Sequence, residues 1–359
     1  LHLYISLQNV NVWGQAPQIQ SFDRTGGMSV FEAYAEFPLV NTLSAKVGRQ
    51  VIALDDDRIF GSLDWHPAGR SHDAVSLNWN ACDQWTLRSF FAYNQGIASG
   101  TMDVNTPNGV HFQGGQAYQH LEAVHSHHKF SEDQKLSLLF ANLGYRVNNG
   151  TNYNMQTFGA HYTGKSDDLS YGASAYLQTG KNAKGQDKSA YMFAVNAGYK
   201  FSPIFSLAAG VDYLSGNASD DNSKDKAFDP FSGTNHKFYG FMDYYYVGFT
   251  PSAGLLNPYL TANVRTGEKS NLSATFHYFA PAAKFETDKK HSSYGSEIDL
   301  VYNLKVQPFI GLQLGYSTYF TNDGTTALKF GNTSTKTRGY QDWFWCSLNI
   351  NPKLFSAMF

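Results

Sequence analysis

Cysteine is scarce in this chain of 359 residues: Cys82 and Cys346 are the only two, far apart in sequence. Neither a C-x-x-C pair nor a disulfide ladder can be built from them. Charge of one sign is lacking too. Lys and Arg total 27 against 29 Asp and Glu, a formal net charge of −2, so the basic footprint of a nucleic-acid binder is absent. No apolar run approaches the ~18 uninterrupted residues of a membrane helix. Helical periodicity is missing as well, because no segment sustains apolar residues at i, i+3, i+4 and i+7 between caps. There is no G-x-S-x-G, H-E-x-x-H or glycine-rich phosphate loop. No basic and apolar leader follows Leu1, so the chain reads as a mature or truncated product. A helical membrane protein is excluded, but a membrane β-barrel is not. Such a barrel averages an apolar outside with a polar inside, which suits a mean hydropathy of −0.38.

What the chain does have is aromatic residues, 16% of the total, and a period of two. In 168–179, Leu169, Tyr171, Ala173, Ala175 and Leu177 share one face, opposite Ser170, Ser174, Tyr176 and Gln178. In 294–304, Ile298, Leu300 and Tyr302 oppose Glu297, Asp299 and Asn303. Alternation of this length marks half-buried strands. It picks out 16 segments: 1–8, 29–37, 42–50, 73–81, 84–94, 116–126, 134–144, 153–163, 168–179, 189–200, 204–215, 255–265, 271–279, 294–304, 308–320 and 339–351. Their length suits transmembrane strands of ~9–11 residues. Short connections alternate with long polar ones, notably 51–72, 95–115, 216–254 and 321–338. Short turns on one side and long loops on the other are the asymmetry of outer-membrane barrels. Phe359, an aromatic at the end of the chain, resembles the signal read by outer-membrane insertion machinery. The pattern predicts one all-β domain over 1–359, a transmembrane antiparallel β-barrel in the bacterial outer membrane. A soluble propeller is disfavoured, since no blade-length repeat occurs.

Two blocks are less generic than the rest. In 45–77, Gly48-Arg49-Gln50 is followed by Asp55-Asp56-Asp57-Arg58, Trp65, Gly69-Arg70 and Asp73. In 226–248 the run His236-Lys237-Phe238-Tyr239-Gly240 lies within the longest connection. With 11–14, 277–281 and 294–303, these blocks resemble the alginate-export family of outer-membrane barrels over nearly the whole chain. The resemblance implies an 18-stranded barrel conducting an anionic polysaccharide past pore arginines. It assigns pore or loop positions to Arg49, Arg58, Arg70, Asp73, His236 and Lys237. It further implies two strands upstream of Leu1, so that 1–8 and 339–351 would not pair with each other.

Alternation separately directs Lys46, Arg88 and Arg265 inward, beside Glu32, Glu36, Glu122, Asp212, Glu297 and Asp299. Arginine grips carboxylates through a planar fork, and cations in a narrow lumen draw anions along it. The same charges can instead brace the wall as ion pairs. Strict alternation points Arg49 outward, unless Gly48 forms a bulge or Arg49 sits at headgroup level. Trp65 and Phe60 need burial, so the 51–72 loop is expected to fold inward and carry Arg58 and Arg70 to the path. Reversing both charges is then expected to shift selectivity. His125, His127 and His128 are read as a solvated turn rather than a metal site. The expected function is passive passage of an anionic saccharide or other small hydrophilic solute, without cofactor, metal or catalysis. The alternative is a non-conducting surface scaffold. The expected partners are the lipid bilayer with its outer-leaflet lipopolysaccharide and other outer-membrane proteins.

Overall fold

The protein is described here by a computed structural model covering residues 1–11, 28–94, 118–146, 152–221, 223–245, 251–287, 290–331 and 337–354. The 95–115 loop, most of 11–14 and Phe359 lie outside the described residues. Sixteen strands form one antiparallel sheet in simple sequence order, apart from a small separate hairpin. They are β1 (His2–Asn9), β2 (Met28–Val40), β3 (Leu43–Gln50), β4 (His72–Cys82), β5 (Trp85–Tyr93) and β6 (His120–Lys129). There follow β7 (Gln134–Arg146), β8 (Asn152–Ser166), β9 (Leu169–Gly180), β10 (Ala190–Lys200) and β11 (Phe205–Leu214). The last are β12 (Leu255–Arg265), β13 (Ser270–Phe279), β16 (Gly295–Gln307), β17 (Ile310–Phe320) and β18 (Tyr340–Ile350). The separate hairpin is β14 (Phe285–Glu286) and β15 (Lys290–His291). Among the described residues β1 pairs only with β2, and β18 only with β17.

Every segment marked by alternation is a strand. Two expectations are corrected. β6 runs to Lys129, so His125, His127 and His128 belong to a strand and only a four-residue turn remains at 130–133. A helix does occur: α1 (Asp323–Phe330) stands in the 321–338 loop. Its eight residues are too few for a periodic stripe. It is held by its cap, where the Asn322 side chain accepts from the Thr325 amide at 3.0 Å and the Thr325 hydroxyl accepts from the Asn322 amide at 3.0 Å.

The chain forms two compact units. Unit 1 comprises Leu1–Tyr162, Ser174–Tyr191 and Ser223–Asn235; unit 2 comprises Thr163–Ala173, Met192–Asn222 and His236–Phe359. In unit 1 the outward face exposes Val47, Val75, Phe91, Val124, Phe140 and Phe158. Its inward face is mixed: Leu121, Leu139, Leu143 and Met155 are buried there beside polar residues such as Ser76, His125 and Gln178. Polarity alone therefore does not assign a residue to the inward face in this region. Glu122 lies on the outward face, opposite Phe91 and Asn142, where it accepts from Asn142 Nδ2 at 2.7 Å. The inward placement expected for it fails because the inward positions of β6 are Leu121 and Ala123, which pack under the loops. In unit 2 the simple rule holds, with Leu260, Phe276 and Leu300 exposed outward.

Candidate functional site

The inward face of unit 1 is covered by two loop segments, 51–71 and 223–235, bonded to each other. Gly61 N donates to Ser232 O at 2.8 Å, and Thr234 N donates to Asp57 O at 2.8 Å. The Leu63 amide donates to the Thr234 hydroxyl at 3.2 Å. Phe60 and Phe231 meet edge to face at 5.3 Å and are both buried. Burying such side chains stabilises by roughly 1.5–3 kcal/mol each. The contact demands glycine at two positions. A Cβ on Gly61 would lie 2.1 Å from the Thr234 hydroxyl, and one on Gly233 would lie 2.3 Å from Arg58 O.

The two loop arginines sit inside this junction rather than in an open path. Arg58 is 2% exposed, and its Nε donates to Asp56 Oδ2 at 2.9 Å. Arg70 Nη1 donates to Gly61 O and Gly233 O, each at 3.3 Å, and to Ser232 O. Burial draws the Arg70 pKa down to about 10, which leaves it charged at neutral pH. The loop folds inward as expected, yet Trp65 stays 38% exposed, so it is Phe60, Ile59 and Ile52 that are buried. Because carbonyls and Asp56 occupy these guanidinium groups, reversing both charges is now expected to break the loop fold rather than tune selectivity.

The wall holds the loop through its own polar groups. His125 Nε2 meets Asp55 Oδ1 at 3.0 Å, with both side chains buried. Burial works to raise the Asp55 carboxyl, but the hydrogen bond and charge of His125 outweigh it and hold it below the ordinary range. Gln178 donates to Asp229 O at 2.7 Å and accepts from Asp229 N at 2.9 Å. Lys188 donates to Asp225 Oδ2 at 3.0 Å. Burial pushes the Asp229 carboxyl from its usual 3.8 up to about 6. The folded loop therefore holds this proton more tightly than the unfolded chain does. Its contribution is complete below about pH 4 and is lost as pH rises through about 6. Asp229→Asn should abolish that loss, read as protease cleavage within 226–235 between pH 4 and 8. A pH profile identical to that of the unsubstituted protein would refute it.

In unit 2 the 236–245 segment seals a polar cluster on the wall. Glu297 is 0% exposed and accepts from the Met242 amide at 2.7 Å. Asp299 is also buried and accepts from Ser317 Oγ at 2.5 Å. His277 Nε2 lies 3.7 Å from Asp299 Oδ2, while its Nδ1 bonds Asn257 Oδ1 at 2.9 Å. Asn257 Nδ2 donates to Asp212 Oδ2 at 3.0 Å and to Phe238 O at 3.1 Å. Glu297 and Asp299 point inward as alternation required, but as anchors under a segment, not as lining. His236 bonds Asp243 at 2.7 Å and stacks on Phe241 at 4.8 Å, while Lys237 is exposed. Gly240 has φ +83°, and a Cβ there would lie 2.6 Å from Glu297 Oε2, so the motif glycine permits the seating. Tyr244 stacks on Tyr319 at 4.0 Å, and Lys329 of α1 donates to Tyr244 O at 2.6 Å. Burial draws Lys329 down to about 8.

The remaining candidates disperse. Arg49 and Asp73 pair at 3.3 Å on the outward face, in line with Val47 and Val75. They are not channel lining. No register shift occurs at Gly48, so nothing turns Arg49 inward. Lys46 sits inward with its ammonium 3.7 Å from the centre of the Tyr34 ring. Arg88 is inward and exposed, opposite Asn78 and His125. Arg265 is exposed and donates to Gly267 O at 3.3 Å. Among the described residues no group of three or more His, Cys, Asp or Glu could hold a metal ion.

Sequence reasoning missed a polar row on the inward wall of unit 2. Arg265, Asn271, Asn303 and Gln313 are register partners across β12, β13, β16 and β17. Gln313 Nε2 donates to Asn303 Oδ1 at 2.7 Å, and Asn303 Nδ2 donates to Asn271 Oδ1 at 3.0 Å. Further along the same face of β12 and β13, the hydroxyls of Thr261 and Thr275 bond each other at 3.0 Å. The signal was present as one amide at an inward position of each strand, but pairing them requires the register.

An apolar outward face on sixteen antiparallel strands joined by short turns and long loops, with a polar inward wall in unit 2, is the make-up of an outer-membrane β-barrel. The alginate-export family matches residues 14–327, and the chain belongs to that family. It resides in the bacterial outer membrane. The family is a transport family, and the chain is an outer-membrane channel protein. Comparison with curated protein sequences gives no match. Among solved structures, OprD from Pseudomonas aeruginosa is similar at 11% identity and TM-score 0.61, over 90% of this chain and 78% of that one. OccAB1 from Acinetobacter baumannii is similar at 14% identity and TM-score 0.61, over 92% and 77%. OpdK from Pseudomonas aeruginosa, solved with vanillate, is similar at 10% identity and TM-score 0.61, over 90% and 79%. These likenesses concern the fold.

Proposed function

We propose that the protein is a passive channel for a small hydrophilic solute, with an anionic saccharide as the favoured class. The observation that carries this reading is the amide row of unit 2. Asn271, Asn303 and Gln313 hydrogen-bond one another in one direction along an inward wall that stays in contact with water. Amides supply donor and acceptor side by side and suit sugar hydroxyls without demanding a charge. Arg265 stands in the same row and supplies a fork for a carboxylate. OpdK, whose structure was solved with a carboxylate, has the same fold, which agrees with such a solute. No catalytic step or cofactor enters the reading. Outer-leaflet lipopolysaccharide is the proposed surrounding of the loop-side rim.

A second reading, a non-conducting surface scaffold, draws on the loop cover of unit 1. Reconstitution separates the two. Discrete conductance steps and uptake of glucuronate into liposomes are expected. Folded protein that gives neither would favour the scaffold. Asn303→Leu should lower glucuronate uptake severalfold while leaving chloride conductance nearly unchanged. Equal loss of both would point to a general change in pore width.

A further inference from the structure

We propose that the turn-side end of the inward wall of unit 2 is a binding site for a multivalent anion. A cavity of about 850 Å³ opens there, lined by Lys165, Lys200, Arg265, Lys269 and Lys305. That volume lies within the range of about 300–1,000 Å³ typical of small-molecule sites. The cations are placed by a regular device. Lys165, Lys200, Arg265 and Lys305 stand at or near the ends of β8, β10, β12 and β16, the strands that run toward the short turns. Each occupies an inward position of the alternation, and Lys269 follows in the β12–β13 turn.

Two bland roles for these cations fail. Headgroup anchoring requires side chains on the lipid face, but that face at this level carries Tyr199 and Val264. Bracing requires paired charges, and none of the five lies within 4.0 Å of a carboxylate among the described residues. The cavity also holds Asp167, Asp168 and Glu268, three carboxylates against five cations. The excess is positive, and it is concentrated in one concave surface. At physiological salt the screening length is about 8 Å, so a monovalent anion gains little there. An anion with several charges engages several cations at once and displaces the screening ions. Arg58 and Arg70, the arginines suggested by sequence, are occupied by loop groups. The five cations of this cavity, by contrast, stand without a carboxylate partner among the described residues.

The proposal rests on the channel reading, so its test measures binding apart from conduction. Citrate and, separately, inorganic pyrophosphate are titrated calorimetrically into the full chain refolded in uncharged detergent at low salt. Binding of at least one is expected, with affinity falling steeply as salt rises, and the tighter probe names carboxylate or phosphate as the source. The triple variant Lys200→Gln, Arg265→Gln, Lys305→Gln should weaken binding at least tenfold. Lys129→Gln with Lys135→Gln, turn-side cations outside the cavity, should change it less than twofold. If the triple variant does not refold, the exposed pair Lys269→Gln and Lys305→Gln serves, with about a threefold loss expected. Absence of binding, or equal weakening by the two cation sets, overturns the site. Binding as expected in a protein that does not conduct would retain the site and remove the channel reading. Conduction without binding would do the reverse.

Discussion

Gly233→Val is expected to raise single-channel conductance severalfold while barrel assembly is retained. The added Cβ would lie 2.3 Å from Arg58 O and 3.0 Å from its carbonyl carbon. Both atoms are backbone, so no flexible side chain can yield. Overpacking of this kind costs about 1–3 kcal/mol. It acts where Phe60 and Phe231 are buried and where Arg70 reaches three carbonyls. Loss of that junction frees the 51–71 segment from the 223–235 segment and uncovers the inward face of unit 1. Gly61→Val attacks the same junction through Thr234, and the two substitutions together should add little to either alone. Gly339→Ala is the control, since nothing lies within 4 Å of a Cβ there. Conductance in planar bilayers is the measurement, with heat-modifiable gel mobility reporting the folded barrel. Wild-type conductance in folded Gly233→Val would show that these loops do not narrow the channel.

Leu300→Arg should destabilise the membrane-inserted state by roughly 2–4 kcal/mol, the cost of a cation facing lipid near the midplane. Leu300 stands near the middle of β16 on the outward face, between Ala274 and Tyr316 in register. Asn303→Arg, three residues on and facing inward, should cost little, because its side chain meets water and the amides of Asn271 and Gln313. Urea titration of refolding into lipid vesicles gives the difference. Equal costs at both positions would contradict the assignment of faces.

The ease with which the strands could be read has a simple source. Each strand divides two environments, so side chains of unlike polarity alternate, and a period of two survives without knowledge of partners. β9 shows it from Leu169 to Gln178 and β16 from Glu297 to Leu300. The rule misled where the inward environment was not water. On β6, Leu121 and Ala123 pack beneath a loop, so Glu122 was directed inward when it faces out. The same cause hid the fate of Glu297 and Asp299: their direction followed from alternation, whereas their burial depends on a segment more than fifty residues away. α1 was missed because an eight-residue helix held by Asn322, Thr325 and a contact from Lys329 to Tyr244 leaves no stripe to count.

By itself the sequence determined the strand set, the alternation of long loops and short turns, the outward apolar band and the family. Each of these is local or compositional, written within ten or so residues at a time. Only the tertiary structure decided which charges are available to a solute. Arg70 loses its freedom to carbonyls of a segment some 160 residues away, Arg58 is held by its near neighbour Asp56 beneath the folded loop, and Arg49 is paired outward with Asp73. The amide row of Asn271, Asn303 and Gln313 and the cations gathered at the turn side exist only once register brings distant strands side by side. A charge is marked in the sequence as a residue type. Its partner, and therefore its use, is set by whatever folds against it.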